Sequence, residues 1–130
     1  TARIIAGVFD LAVEYEPELR EQSFGVFAGQ PYTALLGDAA YHEGPRWSWR
    51  PSEGESLLDV SSRAVPAFER IRTAGAGIDT IVVSHGGVMI ALMAFVLGSW
   101  EGIPVTPNAG IVVVEHVRGR YLPPLNITDA

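Results

Sequence analysis

Ile81-Val82-Val83-Ser84-His85-Gly86-Gly87-Val88, continued by apolar residues without a break to Leu97, decides how this chain is read. A short apolar run bounded by turn residues reads as a buried strand, and a longer one as a buried helix. The pattern predicts a strand over Ile78–Val83, a glycine turn and a helix over Val88–Leu97, with Gly98 as its stop. His85 then stands at the carboxyl end of a strand and at the start of a helix. In open α/β sheets that corner is where ligands bind. The free N–H groups and positive dipole end of the helix favour an anion there. A lone histidine reads more readily as a buried core residue or a backbone cap, but this setting points to phosphate chemistry, with the Gly86 and Gly87 N–H groups as donors to phosphate oxygens.

Outward from that corner, the chain alternates helix and strand. Residues 1–9 carry Ala2, Ile5 and Phe9 at helical spacing, and Leu11–Tyr15 reads as a short strand. Pro17 to Gly29 is loop-rich. Pro31 suits the first turn of a short helix ending near Leu36 and Gly37. Residues 38–55 form the longest stretch without periodicity, and a loop of that length is often a lid or binding loop. Trp47 and Trp49 either line a pocket there or anchor the loop. Ser56 and Asp59 read as a capping box. Leu57, Val60, Ala64, Phe68 and Ile71 then form an apolar helical stripe, with Pro66 inside it as a kink or a weakness and Gly75 and Gly77 as the stop. Ile111–Val117 reads as a strand, and Arg118-Gly119-Arg120 as a tight turn into a short return strand at Tyr121. This alternation argues an α/β class, although the confident strands are few and a stable sheet wants at least one more central strand.

Bulk properties narrow the function classes. The 130 residues, 48% hydrophobic and 18% charged, suit one domain with a real core. All nine basic residues are arginine and the formal net charge is -6. Nucleic-acid binding usually shows a basic patch, so it is disfavoured, while an anionic substrate stays compatible through a local positive pocket. No cysteine is present, which excludes a disulfide framework, a thiolate zinc site and a cysteine nucleophile and fits a cytoplasmic protein. The longest apolar run, Val88–Leu97, is far below the roughly 20 residues of a membrane span. His42 and His116 belong to no constellation and are read as non-catalytic. No His/Asp/Glu spacing suggests a metal site. Glu21, in Leu19-Arg20-Glu21-Gln22-Ser23, reads from its own stretch as a solvated loop glutamate. Gly54-Glu55-Ser56 reads as a turn and a cap. The opening Thr1-Ala2-Arg3-Ile4-Ile5-Ala6 starts inside a helical pattern with no turn before it, and the expectation is that upstream sequence is missing.

Taken in order, Leu19-Arg20-Glu21…Gly25…Gly29, then Gly54-Glu55-Ser56…Asp59…Arg63, then Val82-Val83-Ser84-His85-Gly86-Gly87 resemble the histidine phosphatase superfamily, the phosphoglycerate-mutase-like proteins. The resemblance covers about residues 1 to 121. It implies a three-layer α/β/α sandwich with a mostly parallel sheet, occupied by residues 1–130 as the C-terminal portion of a single domain. It also implies phosphoryl chemistry through a phosphohistidine, with no metal or organic cofactor. His85 matches the second histidine that holds the phosphoryl group, Gly86 lends its N–H to the phosphate, and Glu21 matches the usual proton donor. The family's nucleophile lies in an Arg-His-Gly segment at the end of the first strand, and no Arg-His-Gly occurs here. A further phosphate arginine belongs just ahead of the helix matched by Thr1–Ala6. The expectation is a phosphomonoester phosphatase when intact, with a small phosphorylated substrate and an inactive fragment when alone. A phosphomutase and a non-catalytic phosphate-binding domain are the alternatives. The span from Gly29 to Gly54 is short for the substrate-covering insertion of mutases. Oligomeric state is open, with a homodimer through the Gly119 hairpin one outcome.

Overall fold

Ser56 starts the longest helix of the protein by a reciprocal cap. Its hydroxyl accepts from the Asp59 N–H at 3.1 Å, and the Asp59 carboxylate accepts from the Ser56 N–H at 2.8 Å. Aspartate thus closes the capping box as glutamate would. The computed structural model of the chain describes residues 1–104 and 106–127. Its helices are α1 (Ala2–Phe9), α2 (Thr33–Leu36), α3 (Leu57–Ala74) and α4 (Gly86–Leu97), with short 3-10 turns at Pro17–Leu19, Gly25–Phe27 and Ala39–His42. Helix α3 runs unbroken through Pro66 and ends at Gly75, which caps it. The proline does not end the helix. A proline costs a helix one hydrogen bond and a steric clash, and here the packed face of α3 outweighs both.

That face makes the main core. Val60, Ala64 and Ala67 of α3 meet Val88 and Ala91 of α4, all fully buried, and Leu19 closes one end. Alanines at the contact let the two helices approach closely, so α4 is held tightly and its first residues are fixed in place. Although α4 is apolar throughout, Phe95 and Leu97 stay exposed.

A second cluster holds the long loop. Trp49 is buried against Tyr41, with ring centroids 4.9 Å apart in a T-shape, and its indole N–H donates to Asp38 at 3.3 Å. Leu35, Phe24 and Phe27 complete the cluster. Trp47 stacks on Trp100 at 6.2 Å, and its carbonyl accepts from the Leu58 N–H. Both tryptophans anchor the loop to the body, which resolves the alternative left open by sequence.

The strands differ from expectation. The paired ones are β1 (Val112–Val113), β2 (His116–Val117), β3 (Arg120–Tyr121) and β4 (Leu125–Asn126). They form two antiparallel ladders, β1 with β4 and β2 with β3. The run expected as one strand over Ile111–Val117 therefore splits between two partners. Arg118 and Gly119 both take positive φ, at 51° and 82°, the two-residue hairpin geometry whose twist suits flanking strands. Residues 11–16 and 79–85 are neither helical nor paired. Among the described residues nothing pairs with Ile81–Val83, whose side chains are largely exposed. Apolar composition selects the segment for a sheet, but a ladder needs a neighbour to complete its hydrogen bonds.

Candidate active site

Ser84 and His85 are fixed by what they lead into. His85 is the N-cap of α4 in extended conformation, φ -129° and ψ 168°, and its carbonyl accepts the Met89 N–H at 2.9 Å. The Ser84 hydroxyl donates to the Leu19 carbonyl at 2.8 Å. This bond ties the histidine turn to the segment containing Glu21, far away in sequence. The His85 ring is exposed and makes no hydrogen bond among the described residues.

Glu21 reaches the same corner. Its Oε1 accepts from the Gly87 N–H at 3.0 Å and from the Gln22 N–H at 2.9 Å. The fit depends on Gly87 lacking a side chain, because a Cβ there would lie 2.7 Å from Glu21 Oε1 and 3.2 Å from the Gln22 Cβ. The structure thus brings Glu21 and His85 to one helix end. It also alters one expectation: the Gly87 N–H holds a carboxylate rather than standing free for phosphate. The Gly86 N–H donates to no such partner among the described residues, and no atom crowds its α-carbon.

Behind Glu21 lies a charged cluster that sequence reading assigned only to a turn and a cap. The Arg63 side chain, 10% exposed, donates from Nε to Glu55 Oε1 at 2.9 Å and from Nη2 to Oε2 at 3.0 Å. It also donates to the carbonyls of Glu18 and Glu21. Glu55 accepts further from the Ser23 N–H at 3.0 Å and from Arg20 at 2.9 Å. Bonds from Arg63, then the Ser23 N–H and the Arg20 charge, overcome the effect of burial and hold the Glu55 carboxyl down at about 2. One signal was available in the sequence. Arg63 falls beside Ala64 and three residues after Val60, and a charge beside a buried stripe needs a buried partner.

This depression has a pH consequence. The unfolded chain protonates Glu55 near its ordinary value of 4.5, the folded protein near 2. Stability from the pair is present above pH 4.5 and lost as pH falls toward 2. Glu55→Gln is expected to cost about 1.5–3 kcal/mol near neutrality and to flatten the acid limb. Urea midpoints for both proteins near neutrality and at about pH 3 check this; a mutant with an unchanged acid limb would show that Glu55 does not govern it.

His42 and His116 lie elsewhere. The His42 Nε2 contacts the Leu36 carbonyl at 2.9 Å, and the His116 ring packs on Tyr121 at 4.9 Å. No group of three His, Cys, Asp or Glu side chains gathers as metal ligands among the described residues. No described helix is long and apolar enough to cross a membrane.

The three motifs that were separate in sequence, Leu19–Gln22, Gly54–Arg63 and Ser84–Gly87, are now one hydrogen-bonded site. The family profile of the histidine phosphatase superfamily (branch 1) matches residues 1–123. The chain belongs to the histidine phosphatase superfamily. Relatives of this histidine phosphatase superfamily member include a glucosyl-3-phosphoglycerate phosphatase of Mycolicibacterium vanbaalenii, 35% identical over 82% of this chain and 54% of the relative. A probable phosphoglycerate mutase of Yersinia enterocolitica is 31% identical over 75% of this chain and 47% of its own length. The chain spans about half the length of the curated relatives it matches. Among solved structures, the native mycobacterial glucosyl-3-phosphoglycerate phosphatase superposes with a TM-score of 0.77 at 25% identity, over 93% of this chain and 68% of that one. A protein from Thermus thermophilus superposes at 0.64 with 29% identity, over 95% of this chain and 67% of that one. The chain path is thus that of the α/β phosphoglycerate-mutase-like fold expected from the motifs, although the paired strands seen here are antiparallel.

Proposed function

We propose that these residues form part of a phosphomonoester phosphatase that works through a phosphohistidine, with the nucleophilic histidine of an Arg-His-Gly segment supplied from outside the 130 residues. The observation that carries the reading is the bond from the Gly87 N–H to Glu21 Oε1 at 3.0 Å, which sets a carboxyl group next to the turn that bears His85. The nucleophilic nitrogen attacks phosphorus and the P–O bond to the alcohol breaks. Glu21 gives its proton to the departing oxygen. His85 and the Gly86 N–H stabilise the charge on the equatorial oxygens. Water then attacks phosphorus, the P–N bond breaks, Glu21 takes the water proton and orthophosphate leaves. No step needs a metal or an organic cofactor.

The intact protein is tested against a panel of phosphomonoesters that includes glucosyl-3-phosphoglycerate, the substrate in the mycobacterial relative's name, and a nitrophenyl ester. Release of orthophosphate is expected. Glu21→Gln is expected to lower turnover of alkyl esters by about 10²–10⁴-fold and to spare the nitrophenyl ester, whose leaving group needs no proton. Transfer of the phosphoryl group to a second hydroxyl, without orthophosphate release, would make the protein a mutase. Phosphate binding without turnover would make it a binding domain.

A further inference from the structure

The loop that carries Glu21 has no ladder or helix of its own to hold it between Arg20 and Phe24. Its backbone is held from α3 and from the turn before it. The Glu21 carbonyl accepts from Arg63 Nη2 at 3.2 Å. The Gln22 side chain donates to the Glu55 carbonyl at 2.6 Å. The Ser23 N–H donates to the Glu55 carboxylate at 3.0 Å, and the Ser23 carbonyl accepts from the Glu55 N–H at 2.8 Å. Three consecutive residues are therefore registered against one arginine and one glutamate, and Arg63 ties the preceding turn through the Glu18 carbonyl.

We propose that Arg63, oriented by Glu55, is a positioning residue for the proton donor: it fixes the backbone at residues 18–23 so that the Glu21 carboxylate stands on the Gly87 N–H beside His85. The proposal rests on the reading of Glu21 given above. Arg63 touches no reacting atom; it acts through the peptide of Glu21. Its planar fork meets both carboxylate oxygens and two carbonyls at once, which a lysine ammonium, a compact point charge, does not reproduce. Displacement of a catalytic group by about 1 Å is enough to cost about 10²-fold in rate.

A residue that acts through a proton donor leaves a mark that lost stability does not. Esters with a poor, alkyl leaving group need the proton as the P–O bond breaks, and a nitrophenyl ester does not. In the intact protein, Arg63→Lys is expected to lower kcat for an alkyl phosphomonoester about 10²-fold, with kcat for the nitrophenyl ester within about threefold and KM for both little changed. Glu55→Gln gives the same asymmetry in weaker form. Glu69→Gln, which breaks the more exposed ion pair with Arg72 farther along α3, lowers neither rate. Combining Arg63→Lys with Glu21→Gln adds nothing to the alkyl-ester loss of Glu21→Gln alone. Equal loss on both esters, or full additivity, would overturn the proposal.

The Gly87 amide gives a second readout that needs no activity. In NMR spectra its proton resonance is expected to shift alike in Glu21→Gln and in folded Arg63→Lys or Glu55→Gln, because each removes the carboxylate from that N–H. An unmoved Gly87 resonance in either folded Arg63 or Glu55 variant overturns the positioning role. If the unmodified protein hydrolyses neither ester, the functional reading fails, and the Gly87 resonance still decides whether Arg63 positions Glu21.

Discussion

Turnover of a phosphomonoester by the intact protein is expected to fall about 10²–10³-fold in His85→Ala, while its urea midpoint shifts by no more than an ordinary surface substitution, within about 0.5 kcal/mol. The two halves of this expectation have separate causes. The ring is exposed and unbonded among the described residues, so its removal opens no cavity and strands no buried donor. What anchors the turn is backbone and hydroxyl: the His85 carbonyl on the Met89 N–H, and the Ser84 hydroxyl on Leu19. The catalytic loss follows from the role proposed for His85, a donor to charge that develops on the phosphoryl oxygens. Steady-state kinetics on the folded variant make the check. Wild-type turnover would move the phosphate away from this corner.

The largest effect on stability is expected at Gly25. Its φ is +52°, and a Cβ added there would lie 1.9 Å from the Ser52 carbonyl oxygen and 2.7 Å from both the Glu53 carbonyl carbon and the Gly54 nitrogen. Every one of these atoms is backbone, so no side chain can swing aside. The neighbouring Val26 N–H donates to that same Ser52 carbonyl at 3.1 Å, so moving the Ser52 peptide breaks a bond as well. Gly25→Ala is expected to cost about 3–5 kcal/mol, the sum of left-handed strain and a displaced loop. Because Ser52 leads into Glu55, the loss extends to the seat of Glu21. Chemical denaturation reads the size, and a midpoint near that of the unchanged protein would mean that the two segments do not approach this closely. Gly86→Ala is the contrast, since no atom lies within 4 Å of the Cβ it would gain.

Local signals in the sequence carried far where the deciding interactions were themselves local. The α3 cap needs only Ser56 and Asp59, and the α4 boundaries need only an apolar run between glycines. Gly86 marks the start of α4, and Gly98 takes a left-handed φ of 67° at its end. The β2–β3 hairpin was legible because Arg118-Gly119 is sufficient to turn the chain. Ile81–Val83 was not, because its composition is that of a strand and pairing depends on a second segment. How well α3 would tolerate Pro66 was not legible for a related reason: the proline's cost is local, and the packing that offsets it comes from α4. At the site, His85 announced itself by its glycine turn. Glu21 had no local distinction and depended on resemblance to known proteins. Glu55 was hidden by its neighbours, because Gly-Glu-Ser has an adequate explanation as a turn and cap without any partner for the glutamate. Its bond to Arg63 joins residues eight apart across the helix start, a spacing that no single periodic pattern picks out.

The unpaired run beside His85 also bears on how the protein behaves in concentrated solution. Ile81, Val82 and Val83 offer backbone donors and acceptors along with β-branched side chains that are 54%, 37% and 40% exposed. A strand presented in this way is a template for any chain that reaches it, including an identical one. No proline or basic residue lies between Ile78 and Ser84 to discourage such pairing; Asp79 is the sole charge in that interval. The segment that leads into His85 is therefore also a place where misassembly between chains would begin, so pairing along it would protect the chain as well as support the histidine turn.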